Sequence, residues 1–278
     1  MDNRLFVAYK PAGMVCNHFL SRIKRRYNVK KAGFSGTLDP FAEGVLIVAF
    51  GQFTKLFRFL KKAPKTYRAT LWIGAYSPSL DSEKIERVDE MMAFHPDSVQ
   101  IVLKSLIGEL TYIPPKYSAK KVDGARAYAL ARADQTFELK TITSTVYACS
   151  LVHYAHPFLT FDITISEGGY VRSIGAIIAE KLGFHGALSA LYRLQEGAFV
   201  FDEERPLNPL DYLDLKNNRY LGNPEDILLG RKLTCKDFES QEEGIYSIVI
   251  DEVLSVVQIG VNGVEYLLNS LSLKGVTC

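Results

Sequence analysis

The segment Gly33 to Pro40, with the sequence GFSGTLDP, stands just ahead of the apolar run Val45 to Phe50. Its two glycines permit backbone conformations and close approaches that a side chain would block, and the Asp-Pro pair fixes the exit from the segment. We therefore predict a glycine-rich loop that presents one carboxylate, that of Asp39, ahead of a buried strand. Because Asp in such a turn commonly hydrogen-bonds its own backbone, a functional role for Asp39 needs further evidence from the chain.

Four further motifs accompany this segment. They are KPAG at residues 10–13, KTYR at 65–68, IPPKYSAKK at 113–121 and GGYVRS at 168–173. Each motif alone is weak evidence, but five motifs in one order at plausible spacings are specific. Together they resemble the motifs of the TruB-type pseudouridine synthases, which isomerise a uridine in the T-loop of tRNA. The resemblance covers about residues 4 to 200 and implies an α+β fold.

Composition is compatible with an intracellular enzyme. The 278 residues, of which 47% are hydrophobic, are enough for one large domain and one small domain. No apolar run is long enough to span a bilayer, and no charged start followed by an apolar segment indicates export. The four cysteines (Cys16, Cys149, Cys235 and Cys278) form no C-x-x-C pair. We expect free thiols and a cytoplasmic protein.

The sequence offers no clear site for a metal or a cofactor. The histidines show no metal-ligand spacing beyond His153 and His156, and these two point to opposite faces if they lie on a strand. The implied reaction breaks the N-glycosidic bond, turns the uracil and rejoins it through carbon. Because this rearrangement needs no redox partner and no external group, we expect no cofactor.

The net charge of +2 hides an uneven distribution of charge along the chain. Basic residues cluster before Asp39, at Arg22, Lys24, Arg25, Arg26, Lys30 and Lys31, and after it, at Lys55, Arg58, Lys61, Lys62 and Lys65. One such cluster is usually a solvated helix face. Two clusters that bracket the same loop favour binding of a phosphate backbone.

Hydrophobic periodicity predicts strands and helices without strict β-α-β order. Strands are expected at residues 4–9, 67–73, 146–154 and 158–166, and helices at 17–27, 54–60, 98–106, 125–133 and 170–182. Asn17 is predicted to cap the first of these helices, and Gly183 to end the last. The pattern is typical of an α+β domain with a mixed, mainly antiparallel sheet flanked by helices, which agrees with the fold that the resemblance implies.

The chain changes character near residue 217, where a polar segment with a Gly-Asn-Pro break begins. Short strand-like runs follow at 245–250, 254–259 and 264–268. We predict a catalytic domain at residues 1–216 and a small β-rich module at 217–278. The module looks like a shortened PUA domain, an RNA-binding domain that family members often carry. Its acidic balance leaves open whether it binds RNA or only packs against the catalytic domain.

The resemblance assigns catalytic roles to three residues. Asp39 is implied as the essential carboxylate, and Arg172 as the cation that keeps it ionised in a partly dry pocket. Tyr67 is implied as the ring that stacks on the uracil and moves a proton. Without the motif match, Tyr67 is a core aromatic of a strand, and Arg172 is a helix-face or phosphate contact. The sequence leaves open whether Asp39 acts as a nucleophile or as a base.

Five further residues are expected to contact the substrate or the RNA: Lys10, Phe34, Lys55, Tyr170 and Leu191. Phe34 departs from the Gly-His-[Ser/Thr]-Gly motif of most members. A phenyl ring fills the space left by a flipped base but cannot donate the hydrogen bonds of an imidazole. Residues 77–83 also depart from the family pattern, which weakens the transfer of a family role to Asp81.

Three classes of function remain. The first is a monomeric tRNA pseudouridine synthase that flips and isomerises the uridine at position 55 of the T-stem-loop, without an obligatory protein partner. The second is a non-catalytic RNA-binding protein, which would have no need for Asp39, Tyr67 and Arg172 together. The third is a hydrolase of modified nucleosides, which would need a second acid to activate water, and none is recognisable. A tRNA assay would yield pseudouridine, no product or free base, respectively.

Overall fold

The computed structural model describes residues 3–118, 120–122, 124–133 and 135–274. Cys278 and the outermost residues of the two predicted domains lie outside these ranges. Cys16, Cys149 and Cys235 are free thiols, as the sequence predicts.

The strands, in chain order, are β1 (Arg4–Lys10), β2 (Ala32–Ser35), β3 (Glu43–Phe50), β4 (Lys65–Ile73), β5 (Ala75–Tyr76), β6 (Arg87–Val88), β7 (Gly108–Tyr112), β8 (Lys121–Val122), β9 (Ala125–Arg126), β10 (Ile142–Ala155), β11 (Phe158–Ile165), β12 (Gly186–Glu196), β13 (Lys216–Asn217), β14 (Gly244–Ile250), β15 (Val253–Gly260) and β16 (Gly263–Ser272). The α-helices are α1 (Cys16–Arg26), α2 (Pro96–Lys104), α3 (Ala127–Arg132), α4 (Val171–Lys181) and α5 (Pro224–Leu228). Short 3₁₀-helices cover Gly51–Phe59, Ser82–Lys84, Pro209–Tyr212 and Cys235–Asp237. No helix in the described part of the chain combines the length and the apolar character that crossing a bilayer requires.

One large sheet forms the centre of the molecule. Its strand order is β1-β3-β12-β4-β11-β10-β7, and β2 pairs with β3 as an additional strand. Among the described strands of this sheet, every pairing is antiparallel except that of β12 with β3. The predicted α+β fold with a mixed, mainly antiparallel sheet is therefore confirmed.

The main hydrophobic core lies between one face of this sheet and the helices. Alternation along β4 turns Tyr67, Ala69 and Leu71 into the core, where Ile174 and Ile178 of α4 pack. Each of the large aliphatic side chains contributes about 1.5–3 kcal/mol by leaving water. The core therefore fixes the start of α4 relative to β4, and both elements carry predicted site residues.

Several elements differ from the sequence predictions, among them β2, β12 and α1. The first residues of the GFSGTLDP segment form the edge strand β2, paired with β3 from Ala32 opposite Phe50 onward, so the loop begins only at Gly36. Strand β12 escapes the periodicity analysis because charged residues interrupt its apolar pattern, although it lies in the middle of the sheet. Helix α1 begins one residue earlier than predicted, after an extended Val15, so Asn17 is not its cap.

The C-terminal strands form a second sheet, in the order β13-β14-β15-β16. One face of it joins a hydrophobic cluster that contains Leu254 and Leu271 together with Leu5, Val7 and Ile47 of β1 and β3. The other face packs on the segment that includes α5. The predicted β-rich module is therefore present, and it shares a core with the large sheet. The division between residues 216 and 217 stays a prediction.

Leu254→Ala is expected to lower the free energy of unfolding by about 2–5 kcal/mol, because the side chain is fully buried in the cluster shared by both sheets. Urea unfolding followed by the fluorescence of Trp72, the single tryptophan, reports on the large sheet. Leu221→Ala is the matched control, since Leu221 is 57% exposed. If the urea midpoint reported by Trp72 is the same in Leu254→Ala as in wild type, the two sheets unfold independently.

Candidate active site

A tight turn carries Asp39 from β2 to β3. The amide of Ala42 donates to the carbonyl of Asp39 at 3.1 Å, and the amide of Gly13 donates to the carbonyl of Pro40 at 2.9 Å. Gly36 begins the turn with φ of +65°, and a Cβ atom there would lie 2.5 Å from Oε1 of a buried glutamate, so glycine is required. The Asp39 side chain remains 34% exposed and is therefore open to a substrate.

The guanidinium of Arg172, at the start of α4, faces this carboxylate. Its side chain is 3% exposed, and Nε lies 2.8 Å from Oδ2 of Asp39. Nη1 donates to the carbonyl of Ser79 at 2.8 Å, and Nη2 donates to the carbonyl of Tyr117 at 2.8 Å. These contacts come from separate segments of the chain, so the guanidinium presents a fixed positive charge to Asp39.

Asp81 is a second carboxylate on the same guanidinium. Its Oδ2 accepts a hydrogen bond from Nη1 of Arg172 at 3.2 Å, and its Oδ1 accepts one from the hydroxyl of Ser79 at 2.5 Å. The residue is 3% exposed. Although residues 77–83 depart from the family pattern in sequence, the structure brings Asp81 into the site.

Three main influences act on the pKa of Asp39. Removal of the carboxylate from bulk water raises the pKa, the charge of Arg172 lowers it, and the charge of Asp81 raises it again. The charge of Lys10 also lowers it. The net result is a pKa above the ordinary value for aspartate. A nucleophile or base must be ionised, so activity that depends on Asp39 is lost as the pH falls through this raised pKa.

Lys10 lies beneath the turn, and the structure does not favour the predicted contact with substrate or RNA. Its side chain is fully buried. Its ammonium donates to the carbonyls of Pro11 at 2.9 Å, Met14 at 2.6 Å and Pro40 at 3.3 Å. Three carbonyls occupy its three donors, which leaves none for a phosphate. Burial lowers the pKa of Lys10. The geometry supports a structural role that ties the KPAG turn to the turn of Asp39.

Tyr67 and Leu191 lie on the neighbouring strands β4 and β12. Both side chains belong to the main core, and they are 8% and 6% exposed. In the register of the two strands, Leu191 is opposite Ala69 and Tyr67 is opposite Arg193. Burial raises the pKa of Tyr67, and the guanidinium of Arg193 lowers it in part. The tyrosine is therefore neutral at ordinary pH.

The other predicted contact residues are Tyr170, Phe34 and Lys55, and they differ in how closely they are linked to Asp39 and Arg172. Tyr170 precedes α4, its amide donates to the hydroxyl of Tyr112 at 2.9 Å, and the charges of Asp39 and Arg172 both act on its pKa, which burial raises. Phe34 is partly buried on β2, against the main core. Lys55 is exposed on the 3₁₀-helix Gly51–Phe59. Within the described ranges, neither Phe34 nor Lys55 forms a hydrogen bond or ion pair with Asp39.

A buried charge cluster that the sequence analysis did not predict lies next to this site. Oε1 of Glu196 is 3.2 Å from Nζ of Lys65, and Oε2 is 3.2 Å from Nη2 of Arg193. Lys65, which the sequence analysis placed among the RNA-facing basic residues, is only 8% exposed. The available signal was the pair of opposite charges inside the apolar run that ends at Phe199.

Residues 24–171 match the TruB family pseudouridylate synthase N-terminal domain. The chain is 52% identical to tRNA pseudouridine synthase B of a Nitratiruptor species, over 98% of this chain and 99% of that protein. It is 51% identical to the protein of the same name from Campylobacter curvus, over 97% and 98% of the two chains. The chain belongs to the TruB family of pseudouridylate synthases. The resemblance based on five motifs is therefore confirmed, and the chain is a pseudouridine synthase, an isomerase.

Solved structures agree on the fold. A chain in the crystal structure of a Cbf5-Nop10-Gar1 complex matches this synthase with a TM-score of 0.70 at 18% identity, over 97% of this chain and 85% of that chain. A chain in the archaeal box H/ACA sRNP Nop10-Cbf5 complex matches with a TM-score of 0.67 at 18% identity, over 99% and 88%. These matches include the C-terminal sheet, so the whole architecture of the synthase is a known one.

The arrangement supplies the synthase with one accessible carboxylate beside a fixed cation. Asp39 can attack an electrophilic carbon or remove a proton, because it is held against Arg172 and its side chain remains partly exposed. In the described part of the chain, no group of three or more His, Cys, Asp and Glu side chains could hold a metal ion.

Arg172→Lys is expected to move the acid limb of the pH–rate profile of the synthase to higher pH. An ammonium cannot hold Asp39, Asp81 and two carbonyls at once, so the pKa of Asp39 rises further. The measurement is single-turnover pseudouridine formation at saturating enzyme across pH. Arg87→Lys, in an exposed pair with Asp89, is the matched control. A slower reaction with an unchanged acid limb would show that Arg172 does not control the ionisation of Asp39.

Proposed function

We propose that this synthase converts the uridine at position 55 in the T-loop of tRNA to pseudouridine, with Asp39 as the essential carboxylate and without a cofactor. The observation that supports this most is the ion pair between the accessible carboxylate of Asp39 and the buried guanidinium of Arg172. The guanidinium favours the ionised form of the carboxylate and opposes the rise of its pKa that burial causes. The relatives described above carry the name tRNA pseudouridine synthase B, which supports tRNA as the substrate.

The proposed chemistry requires an ionised Asp39 in either of two routes. In one, the carboxylate attacks the sugar carbon as the N-glycosidic bond breaks and uracil leaves. In the other, it removes a sugar proton and uracil is eliminated. In both, uracil turns and a carbon–carbon bond forms to the sugar. In the first route this bond displaces the carboxylate from the sugar carbon, and in the second the carboxylic acid returns its proton to the sugar. The base then loses its proton from the newly bonded carbon. Tyr67, on the strand beside Leu191, is the proposed stacking partner of the uracil and the carrier of this proton.

A hydrolase is less well supported by the same contacts. Hydrolysis of a nucleoside requires a carboxylate that is free to activate water. Asp81, the second carboxylate on Arg172, is buried, accepts hydrogen bonds from Arg172 and Ser79, and caps the amide of Glu83. Its oxygens are already occupied, so Asp81 is better suited to orient the guanidinium than to activate water.

Basic side chains around β2 support binding of a phosphate backbone. The exposed ones are Arg22, Arg25, Arg26, Lys30 and Lys31 before this strand, and Lys55, Arg58 and Lys61 after β3. The two segments meet, since the amide of Gly51 donates to the carbonyl of Lys31 at 3.0 Å. We propose that these basic side chains hold the T-stem-loop by its phosphates, with an affinity that falls as salt rises.

The target uridine lies inside a folded loop, so the proposal includes extrusion of the base from its stack. Phe34, partly buried on the strand that leads into the turn of Asp39, is the proposed residue that fills the vacated space. We further propose that the synthase works as a monomer in the cytoplasm, where its substrate is found, and that no protein partner is obligatory. The catalytic domain is proposed to end at residue 216.

Asp39→Asn is expected to lower pseudouridine formation by several orders of magnitude, because the change removes the only carboxylate that the proposal assigns to the chemistry. Affinity for tRNA should change little. Product formation from tRNA transcript, assayed in EDTA, and tRNA binding are measured on one preparation. Asp251→Asn, in an exposed turn with φ of +52°, is the matched control. Turnover of Asp39→Asn within about tenfold of wild type would exclude Asp39 from catalysis.

Phe34→Ala is expected to weaken tRNA binding more than it slows the chemical step, because stacking contributes about 1–3 kcal/mol per base. Binding constants and single-turnover rates at saturating enzyme separate the two effects. Phe34→His, the residue of most family members, should retain both, and Phe201→Ala, at an exposed aromatic, is the matched control. Unchanged affinity with a collapsed rate would contradict the stacking role.

A further inference from the structure

We propose that Lys65, Arg193 and Glu196 form a positioning network that holds the turn of Asp39 against Tyr67 and thereby sets the rate of the chemical step without touching the substrate. The inference rests on the proposed function of the same site. It assigns a role to three buried charged residues that the chemistry at Asp39 does not itself require.

The network is built into the pairing of β4 with β12. Lys65 is opposite Glu196, and Tyr67 is opposite Arg193. Regular alternation would place Glu196 on the face opposite to that of Arg193, because they are three residues apart. A register shift between Arg193 and Gln195 adds a residue and returns Glu196 to the face that Arg193 occupies. This irregularity brings the carboxylate between the two cations.

Arg193 joins both ends of the turn that carries Asp39. Its Nη2 donates to the carbonyl of Gly36 at 2.9 Å, where the turn leaves β2. Its Nε donates to the carbonyl of Val45 at 2.8 Å, at the start of β3. Glu196 also contacts this turn, since Oε1 lies 2.5 Å from the position that a Cβ atom of Gly36 would occupy. A shift of the guanidinium must therefore move the turn.

The same guanidinium reaches the second proposed reactive group. Burial raises the pKa of Tyr67, and the charge of the guanidinium lowers it in part. Because Tyr67 is opposite Arg193 in the pairing of β4 with β12, the side chain that binds the turn of Asp39 also neighbours Tyr67. Glu196 and Lys65 hold it in this orientation, with ion pairs of 3.2 Å on either side of the carboxylate.

The burial of these charges argues against a purely stabilising role. Arg193 is 1% exposed and Glu196 is fully buried. Buried ion pairs commonly stabilise a fold no better than apolar side chains of similar volume, because both charges lose their hydration. Within the described residues, Nη1 of Arg193 also lacks a hydrogen-bond partner. Such a cluster beside reactive groups is better explained by its effect on their geometry.

The test separates chemistry from binding in two variants. Arg193→Lys keeps the positive charge but removes the guanidinium that bonds Gly36 and Val45 at once. Glu196→Gln keeps the shape of the side chain but removes its negative charge. Each is expected to lower the single-turnover rate at saturating enzyme by about 10- to 100-fold, the effect of a small misplacement of reacting groups. The dissociation constant for tRNA should stay within about twofold of wild type, since neither residue is at the surface.

Two further variants keep the test decisive. Lys65→Met preserves the length of the side chain at the edge of the cluster, and it should lower the rate at unchanged affinity even if an Arg193 variant fails to fold. Arg205→Lys, in the exposed i,i+3 pair with Asp202, is the matched control and should keep the wild-type rate. The double variant of Arg193 and Glu196 should lose little more than the worse single variant, because the residues act as one unit.

Wild-type rates in folded Glu196→Gln and Lys65→Met would overturn the network. Parallel losses of rate and affinity would overturn it as well, since they would indicate general distortion of the fold. The proposed function fails in a different way, through turnover that persists in Asp39→Asn. Network variants with normal rates and an inactive Asp39→Asn would therefore reject the positioning role alone.

Discussion

The buried guanidinium of Arg172 is the interaction on which the arrangement of the site depends. A buried cation is stable only where carboxylates and carbonyls surround it, since it has lost its hydration. Asp39, Asp81, Ser79 and Tyr117 supply these partners from three segments far apart in the chain. These segments therefore meet at the start of α4, where their carboxylates and carbonyls neutralise the charge of Arg172. The positions of Asp39 and Asp81 in the site follow from these contacts.

The strand that follows Asp39 is held unusually firmly. Leu46, Val48 and Phe50 of β3 face the main core, whereas Val45 and Ile47 face the cluster shared with the C-terminal sheet. A strand buried on both faces reads in sequence as a continuous apolar run. The turn of Asp39 is consequently anchored at its far end by packing on both sides, and the carboxylate gains a fixed direction from elements that have no chemical role.

Sequence reasoning reaches furthest where chemistry restricts residue choice. Asp39 and Arg172 stand in motifs with few alternatives, and the structure brings them together. It failed where a charged side chain is used inside the protein, because composition cannot show whether an ammonium faces water or a carbonyl. Lys10 and Lys65 are examples, since both are buried although their sequence context suggested RNA contact. Buried charge also explains why strand β12 was not predicted, since its charged residues break the periodicity that identifies strands.

The cluster that joins the two sheets has a consequence for how this protein could change over evolution. The face of β1 and β3 that carries Leu5, Val7 and Ile47 shares this cluster with the 3₁₀-helix Gly51–Phe59, with the segment 199–215 and with the C-terminal sheet. A chain that ended near residue 216 would expose the part of this apolar surface that the sheet covers, and it would tend to aggregate. The C-terminal part can thus diverge in its outer loops, but exchange with an unrelated domain would require a matching apolar face, so we expect the two parts to change together.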